Sequence, residues 1–455
     1  MKNMTIIGSG LAGTLLSLYM AKRGYKVDIF ESRPDIRLDK SDKGRSINLA
    51  LSCRGITGLA GMNLMPEVEK IMEPMRARAI HLQDGEIKYQ NFGRHKDEYI
   101  NAILRSELNR LLLNKAEQSP KISLNFNTKL VSLDVHSKQL TLEGRDGAQF
   151  TKPYQLLIGA DGASSNVRAE LQKMQLIKAT RQFLPHGYKE LSIAKTHNKD
   201  FKAEHLHLWP RGSFMLLGNP NCNQSITGTL FLPKEGENSF ASLDKESSII
   251  QFFKEKFTDA FDAMPDLINE FQNHPTGNLS TIQCAPWYFE DHCLLLGDAA
   301  HGLVPFFGQG MNSAFEDCRV LNALLDRFKD DWHCVLPAFY KERKINTDAV
   351  VAMSMDNYQE IQTDISDPTF ILKKRIEHEL MHHYPKRYVS KHVLVMFSNL
   401  PYAQAKAHGD LQNELIDKIF STMRSVEDLN WREIDVLMDK YDKKLANLPS
   451  VDQTH

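Results

Sequence analysis

The feature that most limits what this chain can fold into lies in its first 31 residues. Met4 to Ile7 is a short apolar run, and Gly8-Ser9-Gly10-Leu11-Ala12-Gly13 is a turn of the form GxGxxG. Thr14 to Arg23 carries Leu15, Leu16, Leu18 and Met20 at helical density, Gly24 stops that helix, and Val27 to Phe30 is a β-prone run that ends at Glu31. A bare GxGxxG is a weak signal. One that follows a strand, opens a helix and meets a carboxylate 23 residues beyond Gly8 is a strong one. Gly8 permits the tight turn, Gly10 lets backbone N–H groups approach a pyrophosphate at the helix N-terminus, Gly13 lets helix and strand pack closely, and Glu31 accepts from a ribose diol. Leu11 at the helix start and Arg33 just past Glu31 belong to the same cofactor-binding set. A glycine turn without a ligand would need none of these flanking elements, so the chain is expected to hold a dinucleotide here.

Length and charge narrow the class. The chain has 455 residues, 42% hydrophobic and 25% charged, the proportions of a folded globular protein and not of a disordered or fibrous one. At roughly 150 residues per domain there is room for two or three domains. With 56 Lys and Arg against 57 Asp and Glu, the formal charge of -1 gives no net pull toward nucleic acid or an anionic membrane. The N-terminus enters its first strand with no cleavable signal region, and apolar stretches such as Val393 to Phe397 fall far short of the ~20 residues of a membrane helix. The tail from Leu411 to His455 is charged and carries no such run, so no transmembrane anchor is expected; Tyr388 to Phe397 is the stretch open to a peripheral membrane contact. Six cysteines with no CxxC pair read as reduced thiols, and a cytoplasmic location follows as the default.

Two further strands run into glycine-acid turns. Gln155 to Ile158 leads to Gly159-Ala160-Asp161-Gly162, and Cys293 to Leu296 leads to Gly297-Asp298-Ala299-Ala300-His301. After the second comes Pro305-Phe306-Phe307-Gly308-Gln309-Gly310-Met311-Asn312 and a helix from Ser313 to Phe328. Asp298 can accept a ribityl hydroxyl near a diphosphate, and the Gly308 to Asn312 turn can bring helix N-terminal N–H groups beside a flavin ring, where they stabilise negative charge on its reduced form. Arg76 to Leu82 ahead of these turns, and Glu204 to Pro210, Ser213 to Leu217 and Ser225 to Leu232 between them, read as strands of a β-rich second domain. From Asp348 onward the pattern is helical and charged.

One motif points elsewhere. His378-Glu379-Leu380-Met381-His382 is a literal HExxH, the helix signature in which two histidines bind zinc and the Glu acts as base. Its context argues against a zinc hydrolase: Pro385 cuts the helix short, and no carboxylate occurs between His382 and Asp410. A solvated helix face is the preferred reading, and no metal is assigned.

Taken together, the GxGxxG at Gly8, the Asp161-Gly162 pair and the GDAAH at Gly297 to His301, in that order, resemble the group A flavoprotein aromatic hydroxylases. Pro185-His186-Gly187-Tyr188, Leu206 to Arg211 followed by Phe214-Met215, and Val304 to Asn312 with Phe315-Glu316-Asp317-Cys318 are similar to the branch of that family that hydroxylates L-kynurenine, and the resemblance covers nearly the whole chain. It implies an α/β, p-hydroxybenzoate hydroxylase-like fold. A Rossmann-like FAD-binding domain (1–75, 100–180 and 280–347) would be interleaved with a β-sheet substrate domain (76–99 and 181–279) and followed by a helical C-terminal domain (348–455). It implies bound FAD, with NADPH and O2 as co-substrates, and hydroxylation of the L-kynurenine ring at position 3, a step of tryptophan degradation and NAD biosynthesis. A related hydroxylase of another aromatic acid is the alternative.

The resemblance also implies roles for single residues. Arg78 and Tyr99 match the family's carboxylate-binding Arg and Tyr, and Asn357 and Tyr402 its other polar contacts to the amino-acid end; from periodicity alone Arg78 would be a surface residue on an exposed strand face. Arg105, Ala50 and Leu130 match positions that contact FAD, alongside Asp161, Asp298, Gly310, Met311 and Asn312. Pro305, Phe306, Gly308 and Gln309 are expected to press near the reacting face. No residue is singled out as an acid–base catalyst, because the aniline nitrogen of such a substrate activates its own ring and the protein's main contribution is positioning.

Overall fold

A computed structural model describes residues 2–38, 48–195, 201–202, 204–362, 368–423 and 425–448; the end of the charged tail, 449–455, lies outside them. A six-stranded sheet organises the first part of the chain, with spatial order 288–289, 293–295, 156–159, 3–7, 26–30 and 122–125. All its pairings are parallel except that of the edge strand Tyr288–Phe289. Both faces of its middle are covered, so the strands 293–295, 156–159 and 3–7 are mostly apolar runs with Met4, Ile6, Leu157, Ile158, Leu294 and Leu295 buried, whereas 26–30 and 122–125 alternate, Val27 and Ile29 being buried and Lys26 and Ser123 exposed. Three neighbouring strands, 293–295, 156–159 and 3–7, each end in one of the glycine turns read from the sequence, so the turns emerge side by side from one edge of the sheet. Glu31 follows the next strand along. In open α/β sheets, ligands bind in such a crevice beyond the carboxyl ends of the strands.

A seven-stranded sheet forms the second layer, in the order 277–285, 178–193, 226–233, 214–220, 205–211, 77–81 and 87–91. Its strands are antiparallel except for the parallel pair 205–211 and 77–81. The helices Glu246–Lys256, Thr258–Phe261 and Leu267–Asn273, with Phe257 between the first two, bring Phe252, Phe253, Phe257 and Phe271 into a core with Leu191, Trp209 and Leu216. A separate cluster of Leu184, Met215, Phe231, Val304 and Tyr358 packs with Phe306 and Tyr188.

Three of the expected boundaries fall inside single elements. The strands Lys178–Ile193 and Gly277–Ala285 run through positions 180 and 279, and the helix Trp332–Gln362 is continuous through position 348. Helices Pro368–His383, Tyr402–Phe420 and Trp431–Ala446 enclose Ile376, Leu380, Tyr388, Ile416 and Met438 in a core of their own. Of the stretch Tyr388 to Phe397, the side chains of Tyr388, Val393, Val395 and Met396 are buried inside the protein. Among the described residues no helix is long and apolar enough to cross a membrane.

Candidate functional site

The first turn is closed on one side and open on the other. Gly8 has φ +103°, and a Cβ there would lie 2.5 Å from the Ala160 carbonyl oxygen; one on Gly13 would lie 2.2 Å from the Gly8 oxygen. Side chains are therefore excluded where the first and second turns touch. Around Gly10, by contrast, there is nothing within 4 Å of such a Cβ, and the helix Leu11–Lys22 starts with no side-chain cap. Its free N–H groups face open space, as a pyrophosphate requires. Glu31, 6% exposed, accepts from the backbone N–H groups of Ser9 and Arg33, at 3.0 Å each, and from Arg33 Nε at 2.8 Å. Burial pushes its pKa up, but Arg33's bonds and charge and the two N–H donors outweigh that and hold it at about 2. It is thus an ionised acceptor beside the turn.

At the second turn, Asp161 Oδ2 accepts from the N–H groups of Asn166 (2.7 Å) and Val167 (3.2 Å), while Oδ1 is buried with no hydrogen-bond partner among the described residues. Burial raises the Asp161 pKa against the lowering effect of these bonds. Leu130 is buried beside this turn, its carbonyl taken by Asn166 Nδ2 at 3.2 Å. At the third turn Asp298 is exposed among buried neighbours. Gly310, which opens the helix Gly310–Arg327, has open space where a side chain would stand, and that helix also lacks a side-chain cap. Two uncapped helix ends, an orphaned carboxylate oxygen, an ionised Glu and an exposed Asp suit FAD: a pyrophosphate, two polyol segments and a ring that takes up negative charge. Met311 is buried in the first turn of that helix, and Arg105 opens the helix Arg105–Glu117 exposed, close enough that its charge opposes the upward push of burial on the Tyr188 phenol.

The Gly308 to Asn312 segment is held from behind. Asn312 is fully buried; its Nδ2 donates to the carbonyls of Ala50 (2.8 Å) and Gly308 (2.9 Å), and its Oδ1 accepts from Ser52 N at 3.0 Å. Gln309 is fully buried as well and accepts the Tyr402 hydroxyl at 2.7 Å. The side chains of Asn312, Gln309 and Tyr402 therefore brace this loop from within. A buried network missed from sequence lies beneath. Asp317 accepts from Gly297 N (3.1 Å), His301 Nε2 (2.6 Å) and Arg343 Nε (2.7 Å); Arg343 and Arg54 both reach Glu316. Arg54 lies over the Tyr402 ring and donates to the carbonyls of Val395 and Leu400. The string Phe315-Glu316-Asp317-Cys318 held the signal: adjacent acids inside an apolar helix need cationic partners.

On the seven-stranded sheet Arg78 donates from Nη1 to Gln90 Oε1 at 3.3 Å, and its Nη2 lies 3.1 Å from His392 Nε2. Its guanidinium lies 4.7 Å from the Phe92 ring centroid. The Tyr99 ring carries the guanidinium of Arg76, at 5.0 Å. The aromatic neighbour of Arg78 is thus Phe92, which has no hydroxyl. No carboxylate forms an ion pair with Arg78 among the described residues, and burial lowers its pKa. Phe306 lies between Phe231 (ring centroids 5.1 Å apart, planes tilted by 50°) and Tyr358 (5.0 Å, 34°), Asn357 Nδ2 donates to the Phe306 carbonyl at 3.2 Å, and Pro305 is exposed. The HExxH histidine His378 is 74% exposed. Among the described residues the single grouping of three possible metal ligands is Glu290, Asp291 and His292, on a different element.

Residues 2–331 match the FAD binding domain family. The sequence is 62% identical to a kynurenine 3-monooxygenase of Legionella pneumophila (strain Corby) over 98% of this chain and 100% of the relative. It is 36% identical to one of Dictyostelium discoideum over 98% of each. Among solved structures it is similar to 2-methyl-3-hydroxypyridine-5-carboxylic acid oxygenase, with TM-score 0.65 and 19% identity over 82% of this chain and 95% of that one. It is also similar to Pseudomonas aeruginosa PqsL in complex with 2-aminobenzoylacetate, with TM-score 0.63 and 21% identity over 79% and 96%. The two structures speak for the fold, that of the FAD-binding aromatic hydroxylases. The crevice built by the three glycine turns, the match to the FAD domain and the near full-length identity lead to one conclusion: the chain belongs to the kynurenine 3-monooxygenase family of FAD-dependent monooxygenases.

Proposed function

We propose that this chain hydroxylates L-kynurenine at ring position 3, using NADPH and O2. The observation that carries the substrate reading is Arg78: a partly buried guanidinium without a carboxylate partner among the described residues, beside an aromatic wall. A desolvated cation of this kind gains most from a planar anion that takes its N–H fork bidentately, which the carboxylate of an amino acid does. Phe306, between Phe231 and Tyr358, supports an aryl ring nearby, and Asn357, Tyr402 and Tyr99 remain proposed contacts to the amino-acid end.

When bound, FAD supplies reduction by NADPH and activation of O2 for transfer to the ring carbon ortho to the aniline nitrogen. The chain's own part is to position and to exclude water. Gly8, Gly10, Leu11 and Gly13 with Glu31 and Arg33 would hold the adenosine and pyrophosphate, and Asp161, Asp298, Ala50, Leu130 and Arg105 the rest. The N–H groups of Gly310, Met311 and Asn312 would stabilise negative charge on the reduced ring. Pro305, Phe306, Gly308 and Gln309 would shape the reacting face. All six cysteines are free thiols, which supports work in the cytoplasm. The test is direct: purified, flavin-loaded protein should oxidise NADPH faster with L-kynurenine and release 3-hydroxykynurenine in equal amount. Hydroxylation of a different aromatic acid, with L-kynurenine inert, would overturn the substrate assignment while leaving the reaction type.

A further inference from the structure

His392 stands where three parts of the molecule meet. It is the second residue of the short helix Lys391–Phe397, and its ring faces Arg78 and Phe92 from the seven-stranded sheet and Phe307 from the turn after the third glycine motif. The ring lies 6.3 Å from Phe92 at an interplanar angle of 20° and 6.3 Å from Phe307 at 65°. A guanidinium only donates, so at 3.1 Å from Arg78 Nη2 the His392 Nε2 must carry the lone pair, which makes the ring neutral with its proton on Nδ1. Burial, followed by the charges of Arg78, Lys374 and Lys391, holds its pKa well below that of an ordinary histidine. Glu377 is the acidic group acting on Arg78.

We propose that His392 is a positioning residue whose neutral Nε2 orients the Arg78 guanidinium so that its remaining N–H edge is presented to the carboxylate of the amino-acid substrate. The inference rests on reading Arg78 as the carboxylate anchor. Phe92 beside Arg78 fixes the plane of the fork but can neither donate nor accept, and Gln90 engages one terminal nitrogen. The in-plane rotation of the fork is therefore set by two acceptors, Gln90 at 3.3 Å on one terminal nitrogen and His392, the shorter contact at 3.1 Å, on the other. Bidentate recognition depends on that rotation, because both N–H vectors must meet both oxygens.

The test compares L-kynurenine with its decarboxylated analogue, by calorimetric Kd and by KM and kcat of the FAD-loaded enzyme. His392→Phe should raise the Kd and KM of L-kynurenine about tenfold, the scale of a hydrogen bond to a charged group, with kcat nearly unchanged. The Kd of the analogue should not move, and His392→Gln, which offers an amide oxygen, should recover most of the loss. If His392→Phe weakens both ligands alike, or neither, the residue only packs and the proposal is overturned. If His392→Phe loses FAD, His392→Leu gives the same comparison without a bulky ring. Wild-type protein that binds both ligands equally would overturn the anchor reading itself. Discrimination lost in Arg78→Met but kept in His392→Phe would leave that reading intact and overturn this proposal alone.

Discussion

Arg78 keeps its fork unpaired by any acid among the described residues, so its charge is available to a ligand. Arg78→Lys would preserve that charge and lose the planar fork, and the KM of L-kynurenine should rise about tenfold; Arg78→Met should raise it about a hundredfold. FAD content should stay at the wild-type level in both, and an unchanged KM would remove Arg78 from the site. Glu31 is the counterpart on the cofactor side. Its carboxylate is held ionised with a pKa of about 2 by Arg33 and two backbone N–H groups despite its burial, so it is a full acceptor at any working pH. Glu31→Gln loses the ion pair with Arg33 and one acceptor oxygen, and FAD should bind about tenfold more weakly, read by flavin released on dilution.

At the level of elements, the helix Gly310–Arg327 joins the cofactor crevice to the C-terminal helices. Asp317 and Glu316 on it neutralise Arg343 from the long helix Trp332–Gln362 and Arg54 from the helix Cys53–Ala60, and Arg54 in turn clasps Val395, Leu400 and Tyr402. Arg343→Met would leave two acids buried without their main partner, at a cost of about 3–5 kcal/mol. Because Asp317 also holds Gly297 N and His301, the same variant should lose FAD more readily, and a thermal midpoint equal to wild type would show the network to be dispensable. How far such elements could be read in the sequence depended on their contacts. The strands 3–7, 156–159 and 293–295 were legible because burial on both faces leaves a nearly unbroken apolar run that leads into a glycine turn; the parallel strand Ile122–Asn125, with polar Ser123 and Asn125 and no glycine after it, was not. The strand Lys178–Ile193 was not legible as one element: Pro185 and Gly187 interrupt its pattern, and the ladder shifts register between Phe183 and Gly187. Arg78 and Tyr99 were assigned to the substrate carboxylate by family resemblance alone; Arg76 and Arg78 are only two residues apart, and nothing local in the sequence says which of them lies over Tyr99 and which over Phe92. His392, over three hundred residues away, gave no signal at all beside Arg78.

For the whole molecule, the near balance of charge hides how unevenly protons are held. Burial pushes His207 down to about 4, and lowers His186, His205 and His392 as well. An unfolded chain takes up protons at these histidines near pH 6.5 while the folded one does not, so the unfolded state binds more protons and stability falls as the pH drops below 6.5. His207 alone contributes about 3 kcal/mol across that window. Glu31 acts lower on the scale: its stabilising effect is complete above about 4.5 and is lost as the pH falls toward 2, again about 3 kcal/mol. Both terms have the same sign, so acid should unfold the protein in two overlapping stages, histidines first. The urea midpoint should therefore decline steadily from pH 7.5 to pH 5, and His207→Gln, which cannot take up a proton in either state, should flatten that decline. A midpoint constant over this range, or an equal slope in the variant, would mean that buried histidines do not govern the acid limit of the fold.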